Sequence, residues 1–220
     1  MDHNILVGIT RGHDLEPFLE SVDRVLRHRF DILTVAYYPS LAAFTEIRDF
    51  FLKHEEYTHL TVLMDDLIVN TPAIDLITSH LDKCQVVSGI CNVDTTDHKH
   101  ELAASFTCPV AACFGYDFVN KNSDIYKNLL SQKQPIPFKF VGLPFPVIER
   151  SVVKLIPFHS DPSSWSQDVA FCNDLIKHNI PFWVDLRAEM KHMKISDSDN
   201  MNLQVGKKEP YTKFDKKERV

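Results

Sequence analysis

Between Asn4 and Val93 four apolar runs are separated by three amphipathic stretches, and this alternation restricts the fold more than any other feature. "NILVGIT" (4–10), "FDILTVAYYP" (30–39), "HLTVLMDDLIV" (59–69) and "CQVVSGICNV" (84–93) read as buried strands, rich in Val, Ile and Leu. The stretch after the first run places Leu15, Phe18, Leu19, Val22, Val25 and Leu26 at helical spacing. "LAAFTEIRDFFLKH" reads as a second helix. "TPAIDLITSHL" reads as a third, with Thr71 as its N-cap and Pro72 at the first helical position. Strands separated by helices of this length form βαβ units. The expected class is α/β, with a central, mostly parallel mixed sheet flanked by helices.

The second half carries weaker periodicity. Short β-like pieces fall within 95–140, with a helix around 125–131. "QKQPIPFKFVGLPFPVIERSVVKLIPF" is rich in proline and aromatics, which predicts loops and short strands. "SWSQDVAFCNDLIKHN" predicts a helix and "IPFWVDLRAEMKH" a late strand, in which Asp185 orients its neighbours. From Ile195 onward the chain is polar and lysine-rich, which predicts a poorly packed tail or a partner-docking arm. The expected organisation is one domain over 1–194, with halves at 1–94 and 95–194, and a polar tail over 195–220.

Composition excludes several classes. A net charge of −6 with scattered Lys and Arg argues against a nucleic-acid partner. No apolar run reaches the roughly 18 residues of a membrane span. The basic tail is the only segment that suggests a membrane surface, and a charge run is usually just solvated. The N-terminal residues show no basic segment followed by a long apolar one, so the expected location is cytoplasmic. The five cysteines lack CxxC spacing and read as reduced thiols.

In an open parallel sheet, ligands bind beyond the carboxyl ends of the strands. Three segments reach that edge: Thr10-Arg11-Gly12-His13, Tyr37-Tyr38-Pro39 and Asp65-Asp66. Arginine suits a phosphate, tyrosine rings suit a base, and carboxylates suit a metal or a ribose. Gly12 stands alone, so neither GxGxxG nor GxxxxGK[ST] is present. Two adjacent like charges repel unless something positive is near. Asp65 and Asp66 are therefore either a solvated strand end or the holders of a cation.

Four segments in order resemble glycosyltransferases of the GT-A fold, in the family 2-like group with a short bacterial and archaeal layout. They are "ILVGITRG", "FTEIRDFFLKHEEYTHLTVLMDDLIVNTP", "FVGLPFPVIERSVVKLI" and "WSQDVAFCNDLIKHNIPFWVDLRAEMKH". The resemblance spans about residues 4–193. It implies a nucleotide-diphosphate sugar donor, a glycan or other hydroxyl acceptor, and Mn²⁺ or Mg²⁺ as cofactor. It assigns Asp66 and His192 to the metal and Asp168 to the base that deprotonates the acceptor. It assigns Thr10, Arg11, Tyr37, Arg48, Asp65 and Trp165 to the nucleotide sugar, with Trp165 stacking on a sugar ring.

The match has gaps. Met64 stands where the family usually carries the first acid of its DxD motif, Gln167 where it carries Glu, and Asp49 where it carries Asn. No acid follows the second strand. Met64 favours a rival reading, a GT-A-like scaffold that binds nucleotide or glycan without turnover. A sugar nucleotidyltransferase is a second rival, but those enzymes usually carry a glycine-rich basic loop after the first strand, and "TRGHDLEP" is glycine-poor.

Overall fold

Strand β1 (Ile5–Arg11) lies between β2 (Asp31–Ala36) and β3 (His59–Met64), parallel to both. This is a computed structural model, and it describes residues 3–92, 101–105, 118–120, 124–138, 144–160, 167–193 and 204–217. Side chains alternate across the sheet as a period of two requires. Leu6 joins Ala43, Phe44 and Ile47 of α2 (Ser40–Lys53) on one face. Ile5, Val7 and Ile9 join Phe18 of α1 (Glu16–Ser21) and Ile74 and Ile77 of α3 (Thr71–Thr78) on the other. Each such aliphatic or aromatic side chain contributes about 1.5–3 kcal/mol by leaving water.

The two helical faces end with different devices. Asn70 caps α3: its side chain accepts from the Ala73 N–H at 3.0 Å, and its amide donates to the Glu189 carbonyl at 2.8 Å. The cap is thus one residue earlier than the expected Thr71, and Pro72 sits in the second position. The C-terminal carbonyls of α2 are satisfied from outside the helix. The Arg150 guanidinium donates to Phe51 (2.8 Å) and His54 (2.5 Å), and also to Tyr57 (2.7 Å) beyond it. The first helix runs into a π-helical turn over Val22–Leu26, where the Arg27 N–H reaches the Val22 carbonyl at 3.1 Å.

The remaining strands are β4 (Leu67–Ile68), β5 (Val86–Asn92), β6 (Glu101–Ser105), β7 (Phe118–Asn120), β8 (Ile136–Phe138), β9 (Val147–Glu149), β10 (Phe182–His192) and β11 (Tyr211–Asp215). The sheet runs β11-β2-β1-β3-β9-β5-β10-β4. It is mixed. Strand β9 enters antiparallel between β3 and β5, while β5 and β10 are parallel. The expected helices near 125–131 and from 167 are α4 (Asp124–Ser131) and α6 (Gln167–Lys177). The proline-rich stretch supplies the expected short strands β8 and β9, and also a helix that periodicity did not predict, α5 (Arg150–Leu155).

Two further expectations need correction. "HLTVLMDDLIV" is not one strand. The chain leaves β3 at Met64, turns through Asp65-Asp66, and resumes as β4, which pairs antiparallel with the end of β10. The described part of the tail, 204–217, is not a loose arm either. Residues 211–215 add β11 to the sheet edge beside β2, and the Lys217 N–H donates to the Asp31 carboxylate at 2.8 Å. An edge strand is held by main-chain bonds, and its lysine-bearing sequence carries little apolar signal.

Between Val184 and Glu189 strand β10 bulges, and opposite that bulge β5 has only Gly89. A Cβ on Gly89 would run into the Ala188 carbonyl oxygen, which is backbone and cannot rotate away. Gly89→Ala is therefore expected to cost about 1–3 kcal/mol by overpacking. For a chain of this size that lowers the melting temperature by about 5 °C. An unchanged melting temperature would show that the bulge relaxes freely.

The bulge is tied by charge. Asp185 is 1% exposed and accepts from Arg187 Nε (2.9 Å), Arg187 Nη2 (2.6 Å) and the Arg187 N–H (3.0 Å). His80, just beyond α3, lies 2.8 Å from Oδ2, the oxygen that also accepts from Arg187 Nη2. These bonds fix β10 against α3.

Candidate active site

The chain passes from β1 to β2 on one side and then to β3 on the other. The carboxyl ends of β1 and β3 are thus a topological switch point, where a crevice opens in an α/β sheet. Two loops face each other there: Gly12-His13-Asp14 after β1 and Asp65-Asp66 after β3.

The two aspartates do different work. Asp65 is buried and accepts the N–H groups of Gly12 (2.6 Å) and His13 (2.5 Å). The His13 ring Nδ1 lies 3.5 Å from its Oδ1 and 3.4 Å from its Oδ2. Burial pushes the Asp65 carboxyl above the ordinary carboxylate value, against the pull of those donors and of His13. The side chain expected to touch ribose or metal is thus engaged in holding the β1 loop.

Asp66 points elsewhere. Its Oδ2 lies 3.2 Å from His192 Nε2, at the end of β10. The hydrogen bond to Asp66 holds the imidazole above its ordinary value, although burial opposes the shift. The other oxygen, Oδ1, is buried without a hydrogen-bond partner. The two residues expected to share a metal, far apart in sequence, therefore meet. Nearby, burial pushes the Cys91 thiol up to about 12, with the Asp66 charge adding to the effect, so it stays a packed neutral thiol. Cys84 and Cys172 are likewise buried.

The donor set suits a hard divalent cation. A carboxylate oxygen and an imidazole nitrogen are both Mn²⁺ ligands, and Mg²⁺ is commonly held by one or two carboxylates plus substrate phosphates. The orphaned Oδ1 fits such a role. Among the described residues no group of three or more His, Cys, Asp and Glu side chains converges. Phosphate oxygens of a substrate and water suit the remaining positions of such a cation.

The expected nucleotide contacts are only partly brought together. Thr10 is buried at the end of β1. Arg11 pairs with Asp14 and donates to the Tyr211 hydroxyl at 3.1 Å. The Tyr37 hydroxyl donates to Asp14 at 2.9 Å, and Tyr37 holds a left-handed backbone (φ 64°), uncommon for a non-glycine residue. Lys208 completes the cluster, 2.5 Å from Asp14 and 5.2 Å above the Tyr37 ring. The Gln204 N–H donates to the Gly12 carbonyl at 2.8 Å. The C-terminal segment therefore lies over the ends of β1 and β2. Asp14, Lys208 and Tyr211 were not predicted, because no local pattern links residues this far apart. Lys208 and Lys213 are paired with Asp14 and Asp215.

Arg48 is turned away from this edge. Its guanidinium donates to the carbonyls of Val153 (3.1 Å) and Lys154 (3.5 Å), joining α2 to α5. Trp165 lies outside the described residues. Asp168 stands in the first turn of α6, and its neighbour Gln167 accepts from Ser40 Oγ at 3.4 Å. Since Ser40 opens α2 just after β2, this contact sets the start of α6 at the carboxyl edge. Burial holds the Asp168 carboxyl above the ordinary value, against its bond from the Val169 N–H (2.9 Å).

A cavity of about 250 Å³ lies on the other side of Arg11, between the first helical segment and β11. Its charges are mutually satisfied: Arg27 pairs with Asp23 (2.7 Å) and Asp215 (3.2 Å).

No protein-family model matches the chain, and no curated protein matches it. Among solved structures it is similar to A197 from STIV, with 13% sequence identity and a TM-score of 0.55, over 99% of this chain and 95% of that chain. At that identity the likeness carries the fold alone. The chain is an α/β protein with a large mixed sheet flanked by helices. Among the described residues no helix is long and apolar enough to cross a membrane.

Proposed function

We propose that this protein is a GT-A-type glycosyltransferase that transfers a sugar from a nucleoside-diphosphate donor to a hydroxyl acceptor, with a divalent cation held by Asp66 and His192. One observation carries the reading. Asp66 and His192 meet at 3.2 Å beside a topological switch point, with Asp66 Oδ1 buried and unpaired. A carboxylate and an imidazole at the carboxyl edge of the strands can hold a cation whose other positions are taken by diphosphate oxygens.

When bound, the cation neutralises the diphosphate so that it can leave. The chain's own residues do the rest. Asp65 holds the β1 loop in place. In an inverting displacement Asp168 takes the proton of the acceptor hydroxyl. The acceptor oxygen then forms a bond to the anomeric carbon, and the bond from that carbon to the phosphate oxygen breaks. Its electron pair leaves with the nucleoside diphosphate. A carboxyl raised by burial is a stronger base than a solvated one, which suits this step.

A second reading is favoured by Met64. It is 37% exposed at the end of β3, where an acid is missing, and Asp65 is engaged in its own loop. A nucleotide-binding scaffold without turnover would look this way.

The test is a thermal-shift screen with UDP, GDP, CDP and dTDP, each with Mn²⁺ and with EDTA. A ligand at a hundred times its Kd stabilises by about 2.7 kcal/mol. The expected result is a raised melting temperature with one nucleotide in Mn²⁺, lost in EDTA and lost in Asp66→Asn. No shift with any nucleotide would overturn the proposal. A shift indifferent to EDTA, with no sugar transfer, would establish the scaffold.

A further inference from the structure

Among the described residues three buried side-chain atoms lack a hydrogen-bond partner: His13 Nε2, Thr61 Oγ1 and Asp66 Oδ1. Thr61 lies inside β3. The other two flank the switch point, one in each loop. Leaving a buried polar group unsatisfied costs about 1–3 kcal/mol, and native proteins keep few of them. Two in facing loops call for a ligand.

Their chemistry restricts that ligand. His13 is 8% exposed, and its Nδ1 faces the Asp65 carboxylate. A carboxylate accepts, so Nδ1 is the ring nitrogen that donates towards Asp65, and in that tautomer the unpartnered Nε2 is the acceptor. Asp66 Oδ1 is an acceptor as well. Two acceptors repel a bare anion and suit a cation or a hydroxyl. Asp66 has the imidazole of His192 beside it and is the cation's ligand in the function proposed above. The carboxylate beside His13, Asp65, faces Nδ1 and is taken up by the N–H groups of its own loop, so Nε2, on the far side of the ring, is left for a hydroxyl.

We infer that His13 is a donor-specificity residue, whose Nε2 accepts a hydrogen bond from a ribose hydroxyl of the nucleoside diphosphate. The inference rests on the glycosyltransferase reading for the identity of the ligand. The Asp65 carboxylate is the positioning group. It holds the backbone of Gly12 and His13 and the ring of His13 through one side chain. The imidazole is therefore oriented before ligand arrives, and little ordering is needed on binding.

The experiment measures binding of UDP, GDP and CDP, each as the ribonucleotide, the 2′-deoxy and the 3′-deoxy form, to the full chain in Mn²⁺. Three proteins are compared: wild type, His13→Asn and His13→Gln. Asn keeps a donor towards Asp65 and removes the distal acceptor. Gln places an amide oxygen near the position of Nε2. Wild type is expected to bind one deoxy form about ten- to a hundredfold more weakly than the ribonucleotide. His13→Asn should lose that preference and His13→Gln should recover part of it, with ligand-free melting temperatures confirming that both are folded. Equal binding of ribo and deoxy forms by wild type would overturn the inference and leave the glycosyltransferase reading standing. So would a full preference retained by His13→Asn. Failure of UDP, GDP and CDP alike to bind in Mn²⁺ would overturn the inference, and failure of dTDP with them would overturn the glycosyltransferase reading too.

Discussion

Asp168→Asn is expected to lower sugar transfer by about 10²–10⁴, the usual contribution of a positioned general base. The melting shift produced by nucleotide and Mn²⁺ should stay as in wild type, because Asp168 stands at the start of α6 and the proposed cation site uses Asp66 and His192. The measurement is release of nucleoside diphosphate from the sugar nucleotide, set beside the thermal shift. The pH profile adds a second readout. A base works only when deprotonated, and burial raises the Asp168 carboxyl. The rate should therefore rise with pH along a limb whose midpoint lies above the ordinary Asp value of about 3.9. Transfer by the Asn variant at near wild-type rate would remove Asp168 from the mechanism.

Arg187→Ala should produce the largest loss of stability, about 3 kcal/mol near neutral pH, at the lower end of the range for breaking a buried ion pair because Arg187 is itself partly exposed. The variant leaves the 1%-exposed Asp185 carboxylate with His80 and the main-chain N–H of residue 187, without the guanidinium charge. Burial works to raise the Asp185 carboxyl, but the bonds from Arg187 and His80 together hold it below its ordinary value. A depressed carboxyl stabilises the fold above its unfolded value, and the contribution is lost as pH falls through the folded value. The gap between wild type and variant in urea unfolding should thus be full at pH 7 and shrink below about pH 3.9. A gap of equal size at both ends would assign the loss to side-chain packing. The same variant should weaken the Mn²⁺-dependent shift, since the bulge carries the end of β10 that presents His192.

The pairing of Asp66 with His192 shows what the motif resemblance could reach. Asp66 and His192 were singled out by their positions in an ordered set of motifs, and they meet in the fold. His13 and Asp14 fell in the same loop as Arg11, but nothing in "TRGHD" marks one as an orphaned acceptor and the other as the centre of a four-residue cluster. Arg48 matched its motif and is turned to the carbonyls of α5, a helix hidden in a proline-rich segment. Gly89 had a visible signal, since glycine inside a strand often marks a bulge.

The order of β1, α1, β2, α2, β3, α3 and β5 was determined by the sequence alone, because hydrophobic periodicity is a local property that reports which face of an element is buried. The edge at which the polar loops gather was determined with it, because parallel strands with helical crossovers put their carboxyl ends together. Tertiary structure alone decided the rest. It broke "HLTVLMDDLIV" at the aspartates, inserted β9 between β3 and β5, and turned a polar tail into β11 over the site. Each of these depends on main-chain pairing or on charge contacts between residues distant in the chain. Such pairings need no particular local pattern, so only the assembled sheet reveals them.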